Sequence, residues 1–234
     1  MTAAILQSNY IPWKGYFDII NTADVFIFYD HVQYTKNDWR NRNRIKTPQG
    51  SNWLTIPVRQ LDSSQKIEET HVLNQDWRKK HWASLSNFYG KTPGFKLYKD
   101  LIEPLYLNSE ETNISKINQS FITTIQQILG GTTTIYRSTE LGITGGKTQS
   151  LVDLCQKVGA DTYLSGPAAK DYLDVPLFEN VGMKVQWMSY EGYSEYTQPF
   201  PPFDHAVSIL DLIFCTGTAA RNYLKAFSAN HDSV

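Results

Sequence analysis

The segment from Asp30 to Lys46 carries the residues best suited to chemistry. Two carboxylates offset five cationic side chains there, which gives a net charge of +3 in a chain whose formal total is −1. Hydrogen-bonding and aromatic groups alternate with these charges. Guanidinium groups bind phosphates and carboxylates through a planar fork, and aromatic rings stack on bases. The composition therefore favours an anion or nucleotide site over a solvated basic loop, the usual alternative for a charge run.

Residue type suggests individual roles within this segment. Lys36, Arg40 and Arg42 are candidates to bind phosphates, and Trp39 or Tyr34 to stack on a base, with Gln33 as a further contact. Asp30 is a candidate general base or ribose ligand, and Lys36 lies six residues further on. We therefore treat Asp30 and Lys36 as candidate catalytic residues.

The elements around this segment predict a parallel sheet. Residues 24–29 are apolar and β-forming, so they indicate a buried strand that delivers Asp30 to a sheet edge. Residues 2–7 predict the first strand and Phe17 to Ile20 the buried face of a helix, which together make a βαβ opening. Gln7 and Tyr10 then lie at the carboxyl end of the first strand, where α/β proteins bind ligands.

The remaining chain predicts a single α/β domain over residues 1–227 and a tail at 228–234. A turn at 47–51 between β-forming runs indicates a hairpin, and residues 67–73 a further short strand. Residues 74–130 predict a helical insertion or lid, in which Asn74 or Asp76 is the candidate cap of the first helix and the last helix runs from Asn113 to Leu129. A later strand at 160–164 delivers Ser165 and Gly166, with Lys170 shortly after it. Ligands should bind where the loops after residues 7, 29 and 164 converge.

Composition narrows the class of protein. Hydrophobic residues make up 41% and charged residues 19% of 234 residues, as in a globular domain, and the near-zero net charge argues against a general nucleic-acid or membrane surface. The two cysteines stand far apart, and no histidine has a partner at metal-ligand spacing, so neither a disulfide framework nor a metal site is predicted. The absence of a signal-peptide pattern and of a long apolar run predicts a cytoplasmic protein without membrane insertion.

Several motifs resemble those of the WbqC-like family, bacterial proteins often linked to surface-polysaccharide gene clusters. They are Gln7-Ser8-Asn9-Tyr10-Ile11-Pro12-Trp13-Lys14-Gly15-Tyr16-Phe17, Tyr29-Asp30-x-Val32-Gln33-Tyr34-x-Lys36, Trp39-Arg40-Asn41-Arg42-Asn43, Trp53-Leu54-Thr55-Ile56-Pro57-Val58, Tyr163-Leu164-Ser165-Gly166, Asp171-Tyr172-Leu173 and Ser208-Ile209-Leu210-Asp211-Leu212. This resemblance covers about residues 3 to 217. It implies a role in the synthesis of surface glycans such as O-antigen.

A weaker resemblance is to the HIGH-type nucleotidyltransferases. Trp13-Lys14-Gly15-Tyr16 stands where that group has His-x-Gly-His, so both histidines are replaced and the glycine is retained. The resemblance implies a nucleotidyltransferase-like, Rossmann-like fold with three layers and a mostly parallel sheet. It also makes Lys14 and Gly15 candidates for contact with a nucleotide, since a glycine there lets a phosphate approach the helix start. In the same comparison a late loop at a helix start contacts the phosphates, which makes Ser165, Gly166 and Lys170 further ligand candidates, with an ordinary strand-to-helix turn as the alternative.

Three functions remain open at this point. The first is a transferase that acts on a nucleotide-linked amino sugar by acyl or aminoacyl transfer or by nucleotidyl activation, with ATP or acyl-CoA as the candidate cofactors. The second is a non-catalytic protein that binds a nucleotide or nucleotide sugar, favoured by the absence of a recognisable nucleophile and base pair. The third, RNA binding through the basic segment, is disfavoured by the overall charge.

Overall fold

The computed structural model describes residues 1–143 and 147–228. Its strands are β1 (Thr2–Leu6), β2 (Val25–Phe28), β3 (Arg42–Thr47), β4 (Gly50–Thr55), β5 (Val58–Arg59), β6 (His71–Val72), β7 (Thr134–Arg137), β8 (Thr162–Ser165) and β9 (Lys184–Trp187). Its α-helices are α1 (Lys14–Thr22), α2 (Asp76–Tyr89), α3 (Pro93–Leu107), α4 (Ile114–Ile128), α5 (Lys147–Lys157), α6 (Val175–Glu179), α7 (Ile209–Thr216) and α8 (Lys225–Ser228). Short 3₁₀ helices occupy Ile67–Glu69, Pro167–Asp171 and Gly217–Tyr223.

A five-stranded parallel sheet with the order β7-β2-β1-β8-β9 forms the centre of the fold. Numbered along the chain within this sheet, the strands run 3-2-1-4-5, the order of a doubly wound α/β fold. The chain adds strands first on the β2 side of β1 and then on the β8 side, so the strand order reverses between β1 and β8. This arrangement confirms the predicted mostly parallel, three-layer α/β class.

The central strands β1, β2 and β8 are buried on both faces, whereas the edge strands β7 and β9 are partly exposed. On β2, Phe26 and Phe28 pack into one apolar cluster with α1 and the α2–α4 helices. Val25 and Ile27 point to the other face and join a second cluster built largely from α5, α6 and β8. The sheet therefore lies between two layers of helices.

The helices α2, α3 and α4 fall where the sequence predicts a helical insertion. The side chain of Asn113 accepts a hydrogen bond from the Lys116 N–H at 3.1 Å, so the predicted start of α4 is a capped one. The start of α2 differs from the prediction, because Gln75 is the N-cap residue and makes no side-chain cap, while Asn74 accepts from the Asp76 N–H.

The β3–β4 hairpin is confirmed, with Arg44 directly opposite Trp53. The predicted strand over residues 67–73 is only partly present, since Ile67–Glu69 is a 3₁₀ helix and only His71–Val72 forms strand β6, paired with β5. A side-chain hydrogen bond from Gln65 to Thr70 and one from Thr70 to the Lys66 carbonyl favour the helical turn. The hairpin and the turn enclose the basic segment from its two ends.

Candidate functional site

A cleft of about 690 Å³ lies at the carboxyl edge of the sheet, where the strand order reverses. Gln7 follows β1, Tyr29 follows β2 and Ser165 ends β8, and all three line this cleft. The three loops that we predicted to converge therefore meet around this cleft in the structure. We call this the switch-point cleft.

The opposite wall of the switch-point cleft is formed by the start of α5 and the segment after the 3₁₀ helix at Pro167–Asp171. Lys147, Thr148 and Gln149 line it at the helix start, together with Asp174, whose N–H donates to the Thr148 hydroxyl at 3.2 Å. Lys147 adds a positive charge beside the free amides of a helix N-terminus, a favourable setting for an anion.

Ser165, Gly166 and Lys170 differ in their position relative to the switch-point cleft. Ser165 lines it, Gly166 is the next residue and precedes the 3₁₀ helix, and Lys170 is exposed on that helix. The Lys170 ammonium lies 5.7 Å from the centre of the Trp187 ring. Only Ser165 of the three belongs to the cleft lining.

Arg40 connects the switch-point cleft to the basic segment. Its guanidinium donates hydrogen bonds to the side-chain oxygens of Gln7 and Asn9, and it lies 3.6 Å from the Asp38 carboxylate. Gln7 lines the switch-point cleft and Asn9 lines a second cleft, which is described next. The Arg40 side chain therefore holds one loop residue of each cleft in place. Arg40 therefore stabilises the loops at the carboxyl edge of the sheet, and this role does not depend on contact with a ligand.

A second cleft, of about 320 Å³, adjoins the loop between β1 and α1. Trp13 and Trp39 line it with Asn9 and Asn43. Gly15 lies under the Trp13 ring, and a Cβ added there would come within 2.3 Å of a ring carbon. The close approach that Gly15 permits is therefore made by this indole in the structure.

The Lys14 side chain is buried although it ends in an ionisable amine. Its Nζ is 2.9 Å from Nδ1 of His205 and 4.7 Å from the centre of the Tyr193 ring. Burial lowers the pKa of Lys14 to about 8, against the opposing influence of Asp18 and other carboxylates. Lys14 thus sits in an aromatic enclosure and loses its proton at a lower pH than an ordinary lysine.

A third cleft, of about 370 Å³, lies on the exposed face of the β3–β4 hairpin. Trp39, Arg42, Arg44 and Trp53 line it, together with Asn37 and Asp38. The Arg42 guanidinium lies over the Trp53 ring at 4.4 Å, and the two indole rings are 5.4 Å apart. The sequence did not single out Arg44 or Trp53 as ligands; their strand pairing is the signal that joins them to Trp39 and Arg42.

Asp30 and Lys36 occupy different surroundings. The Asp30 carboxylate is 4% exposed and accepts hydrogen bonds from the Ser8 N–H at 2.7 Å, the Ser115 hydroxyl and Gln119 Nε2. Lys36 is exposed and, in the part of the chain that the structure describes, makes no hydrogen bond or ion pair. Asp30 consequently ties the loop after β1 to α4, and no contact links it to Lys36.

The remaining candidates lie in the core or in loop contacts. Tyr10 is fully buried, and its hydroxyl lies 2.9 Å from both His81 Nδ1 and the Tyr106 hydroxyl. Burial also lowers the pKa of His81 to about 4, so this partner is a neutral imidazole. Tyr34 is buried beside the 3₁₀ turn, while Gln33 is exposed and donates to the Ser63 carbonyl.

Residues 1–143 and 147–228 also bear on two other classes of function, metal binding and membrane insertion. No group of three or more histidine, cysteine or acidic side chains is arranged to hold a metal ion there. Within the same ranges, no helix combines the length and the apolar character needed to cross a membrane.

Comparison with known proteins places this geometry in a family. The chain is 45% identical over 223 residues to a protein of Mycobacterium tuberculosis (strain ATCC 25618 / H37Rv) described as "Uncharacterized protein Rv1507c", with 95% of this chain and 96% of that protein covered. No solved structure matches the chain. A family model described as WbqC-like protein family matches residues 7–223, which include the switch-point residues Gln7 and Ser165 and the whole basic segment. This protein belongs to the WbqC-like protein family.

Proposed function

We propose that this protein binds a nucleotide-linked amino sugar in the switch-point cleft and takes part in bacterial surface-glycan synthesis. The reaction class we assign is transfer of an acyl or aminoacyl group to the sugar, or nucleotidyl activation of one of the substrates. The observation that carries the proposal is the cleft itself, about 690 Å³ in volume, at the reversal of the 3-2-1-4-5 sheet.

The chemistry of the cleft lining suits such a ligand. Lys147 and the amides at the start of α5 supply the positive end that phosphates need, and Gln7 and Ser165 offer hydrogen bonds from the sheet side. Apolar and aromatic side chains such as Tyr29 and Leu173 supply surface for the uncharged part. The volume lies in the range of pockets that hold small ligands and cofactors, ~300–1,000 Å³.

An amino sugar also reduces what the protein must contribute to catalysis. Its own amine attacks the activated acyl carbon, an amide bond forms, and the thiol or nucleotide leaving group departs, so the chain need not supply a nucleophile. A base that accepts the amine proton and groups that position both substrates then suffice. This fits a cleft in which Lys147 and a helix start can hold the phosphates.

Binding can be tested without knowledge of the reaction. A panel of nucleotides and nucleotide-linked sugars is screened by thermal shift, and hits are measured by calorimetry. A ligand present at 100 times its Kd should stabilise the protein by about 2.7 kcal/mol. Lys147→Gln should weaken binding by roughly 10-fold, whereas Lys157→Gln, an exposed lysine at the other end of α5, should not. Absence of any saturable hit, or equal effects of the two variants, would refute the proposal.

A non-catalytic binding protein is the second candidate, and the Asp30 geometry favours it. The carboxylate that the sequence suggested as a base is committed to three hydrogen bonds within the fold. Incubation with ATP plus amino acids, or with acyl-CoA, and the best-binding amino-sugar nucleotide separates the two, with products read by mass spectrometry. An acylated or adenylylated product supports the transferase; saturable binding without product supports the binding protein.

A further inference from the structure

The exposed face of the β3–β4 hairpin is built from alternating residues. Arg42 and Arg44 lie two apart on β3 and share a face with Trp53, which pairs with Arg44 across the strands. The intervening Asn43 and Ile45 are buried on the opposite face. Trp39 comes from the loop before β3 and reaches the Trp53 ring. We refer to Trp39, Arg42, Arg44 and Trp53 as the tryptophan–arginine platform.

The two tryptophans of the platform are unusually exposed. Trp39 is 40% and Trp53 45% exposed, with ring centres 5.4 Å apart and planes inclined at 39°. Large aromatic side chains bury most of their surface when only packing is required, so a solvent-facing pair indicates a binding surface. A distance of 5.4 Å between the ring centres leaves no room for a third ring between the indoles, so a ligand ring would pack against their exposed sides.

The arginines of the platform have charges that the fold does not neutralise. No carboxylate lies within 4.0 Å of the Arg42 or Arg44 guanidinium among the described residues. The nearby Asp38 is engaged by the Thr35 hydroxyl, the Trp39 N–H and Arg40. Arg42 donates to the Asn37 carbonyl, and the Nε of each platform arginine is buried without a hydrogen-bond partner among the described residues. Because neither guanidinium is ion-paired, their charge beside apolar rings is suited to an anion attached to an apolar ring face.

We propose that the tryptophan–arginine platform binds an anionic sugar, a pyranose that carries a carboxylate or a phosphate. The pyranose ring would pack on the indoles and the anion would accept hydrogen bonds from Arg42 and Arg44. A polynucleotide fits less well, because the chain has a net charge of −1 and the cations here form a small patch. That the bound sugar is the second substrate of the transferase rests on the proposed function; the binding itself does not.

The test uses the six tryptophan indole signals in nuclear magnetic resonance spectra of the ¹⁵N-labelled full chain. Trp39→Phe and Trp53→Phe assign the two platform signals. Glucuronic acid and glucose 1-phosphate are titrated as probes, with glucose as the neutral reference. We expect saturable shifts of the Trp39 and Trp53 signals with at least one anionic sugar and much smaller shifts with glucose. The tighter of the two anionic probes identifies the anion.

Arginine variants establish the contact. Arg44→Gln removes no hydrogen bond of the described fold, so it should leave the melting temperature unchanged and weaken binding about 10-fold or more. Arg42→Lys retains the charge but loses the planar fork, so it should also weaken binding. Arg59→Gln, at an exposed arginine on strand β5, is the matched control and should bind as the wild type does.

Other outcomes would overturn the proposal. Equal shifts with glucose would show that charge is not recognised, and tighter binding of adenosine monophosphate or a short single-stranded RNA at the same signals would make the platform a base-stacking surface. No shift with either anionic sugar would also reject it. Lys147→Gln should leave these titrations unaltered, so that failure here is distinguishable from failure of the nucleotide site.

Discussion

At the scale of single residues, residue types predicted which chemistry each side chain could perform better than they predicted where it would lie in the fold. Tyr34 stands beside the exposed candidates Gln33 and Lys36, and Tyr10 follows the cleft residue Gln7, yet both tyrosines are buried. Tyr10 satisfies its hydroxyl with His81 and Tyr106, which are 71 and 96 residues away. A phenol packs in a core as readily as in a site once its hydroxyl has a partner. Because such partners lie far away in sequence, spacing alone could not distinguish the two uses.

Asp30→Asn should destabilise the protein by about 1–3 kcal/mol, the usual cost of an unsatisfied buried hydrogen-bonding group. An amide replaces one acceptor by a donor, while the Ser8 N–H and Gln119 Nε2 both point at this side chain as donors. Urea denaturation measures the change.

The matched control for this substitution is Asp100→Asn, an exposed position on α3 that should change stability by less than ~0.5 kcal/mol. An Asp30→Asn protein as stable as the wild type but unable to bind or turn over ligand would instead place Asp30 on the ligand. In that case its hydrogen bonds to Ser8 and Gln119 would be incidental to stability.

Lys14 makes stability depend on pH in a defined window. Its pKa is lowered to about 8 in the folded protein, against 10.5 for an unperturbed lysine. Between these values the unfolded chain holds the proton more tightly, so unfolding takes up a proton and stability rises with pH. The maximum slope is about 1.4 kcal/mol per pH unit. Below about pH 8 both states are protonated and the contribution is lost.

Comparison with Lys14→Met isolates this effect. Buried phenols such as Tyr196 have a raised pKa and lower the stability at still higher pH, but they are common to both proteins. From pH 7 to 9.5 the wild type should gain about 1–2 kcal/mol relative to Lys14→Met in chemical denaturation. Parallel pH profiles would mean that Lys14 keeps an ordinary pKa in its aromatic enclosure.

At the scale of elements, the strands and the order of the site loops were predictable. The run at residues 25–28 is apolar throughout because β2 is covered on both faces, and the turn residues at 47–51 indicated the β3–β4 hairpin. The helical bounds were close where a cap residue was available, as at Asn113. The stretch at 67–73 was less predictable because local side-chain bonds of Gln65 and Thr70 compete with strand pairing.

Contacts between elements explain what the sequence missed. Arg40 was predicted as a phosphate ligand, but its bonds to Gln7 and Asn9 join residues 33 and 31 positions away and depend on the βαβ unit having formed. Trp53 becomes a platform residue only because the hairpin register sets it opposite Arg44. Pairings of this kind arise from tertiary structure, so the composition of the basic segment predicted an anion site but could not show which of its residues line which cleft.

At the scale of the whole molecule, one apolar cluster unites the helices α2–α4 with the central sheet. Phe121 of α4 and Tyr106 of α3 belong to the same cluster as Phe26 of β2 and Phe17 of α1. The Phe121 ring also contacts Tyr10, from the loop after β1, at a centre-to-centre distance of 5.6 Å. Because no separate core is left for the helices, we predict that residues 1–227 unfold as one domain and that the helices are not an independent lid.

Hydrogen exchange resolved by segment tests this prediction. The slowest amides of α3 and α4 should exchange with the same free energy of opening as those of β1, β2 and β8, since each requires global unfolding. Phe121→Leu should lower the free energy of opening of both sets of amides equally, by roughly 1–2 kcal/mol, because the cavity that it creates lies in the shared core. A lid that opens by itself would give a lower free energy for the helices, and Phe121→Leu would then reduce that value while the strand amides kept theirs.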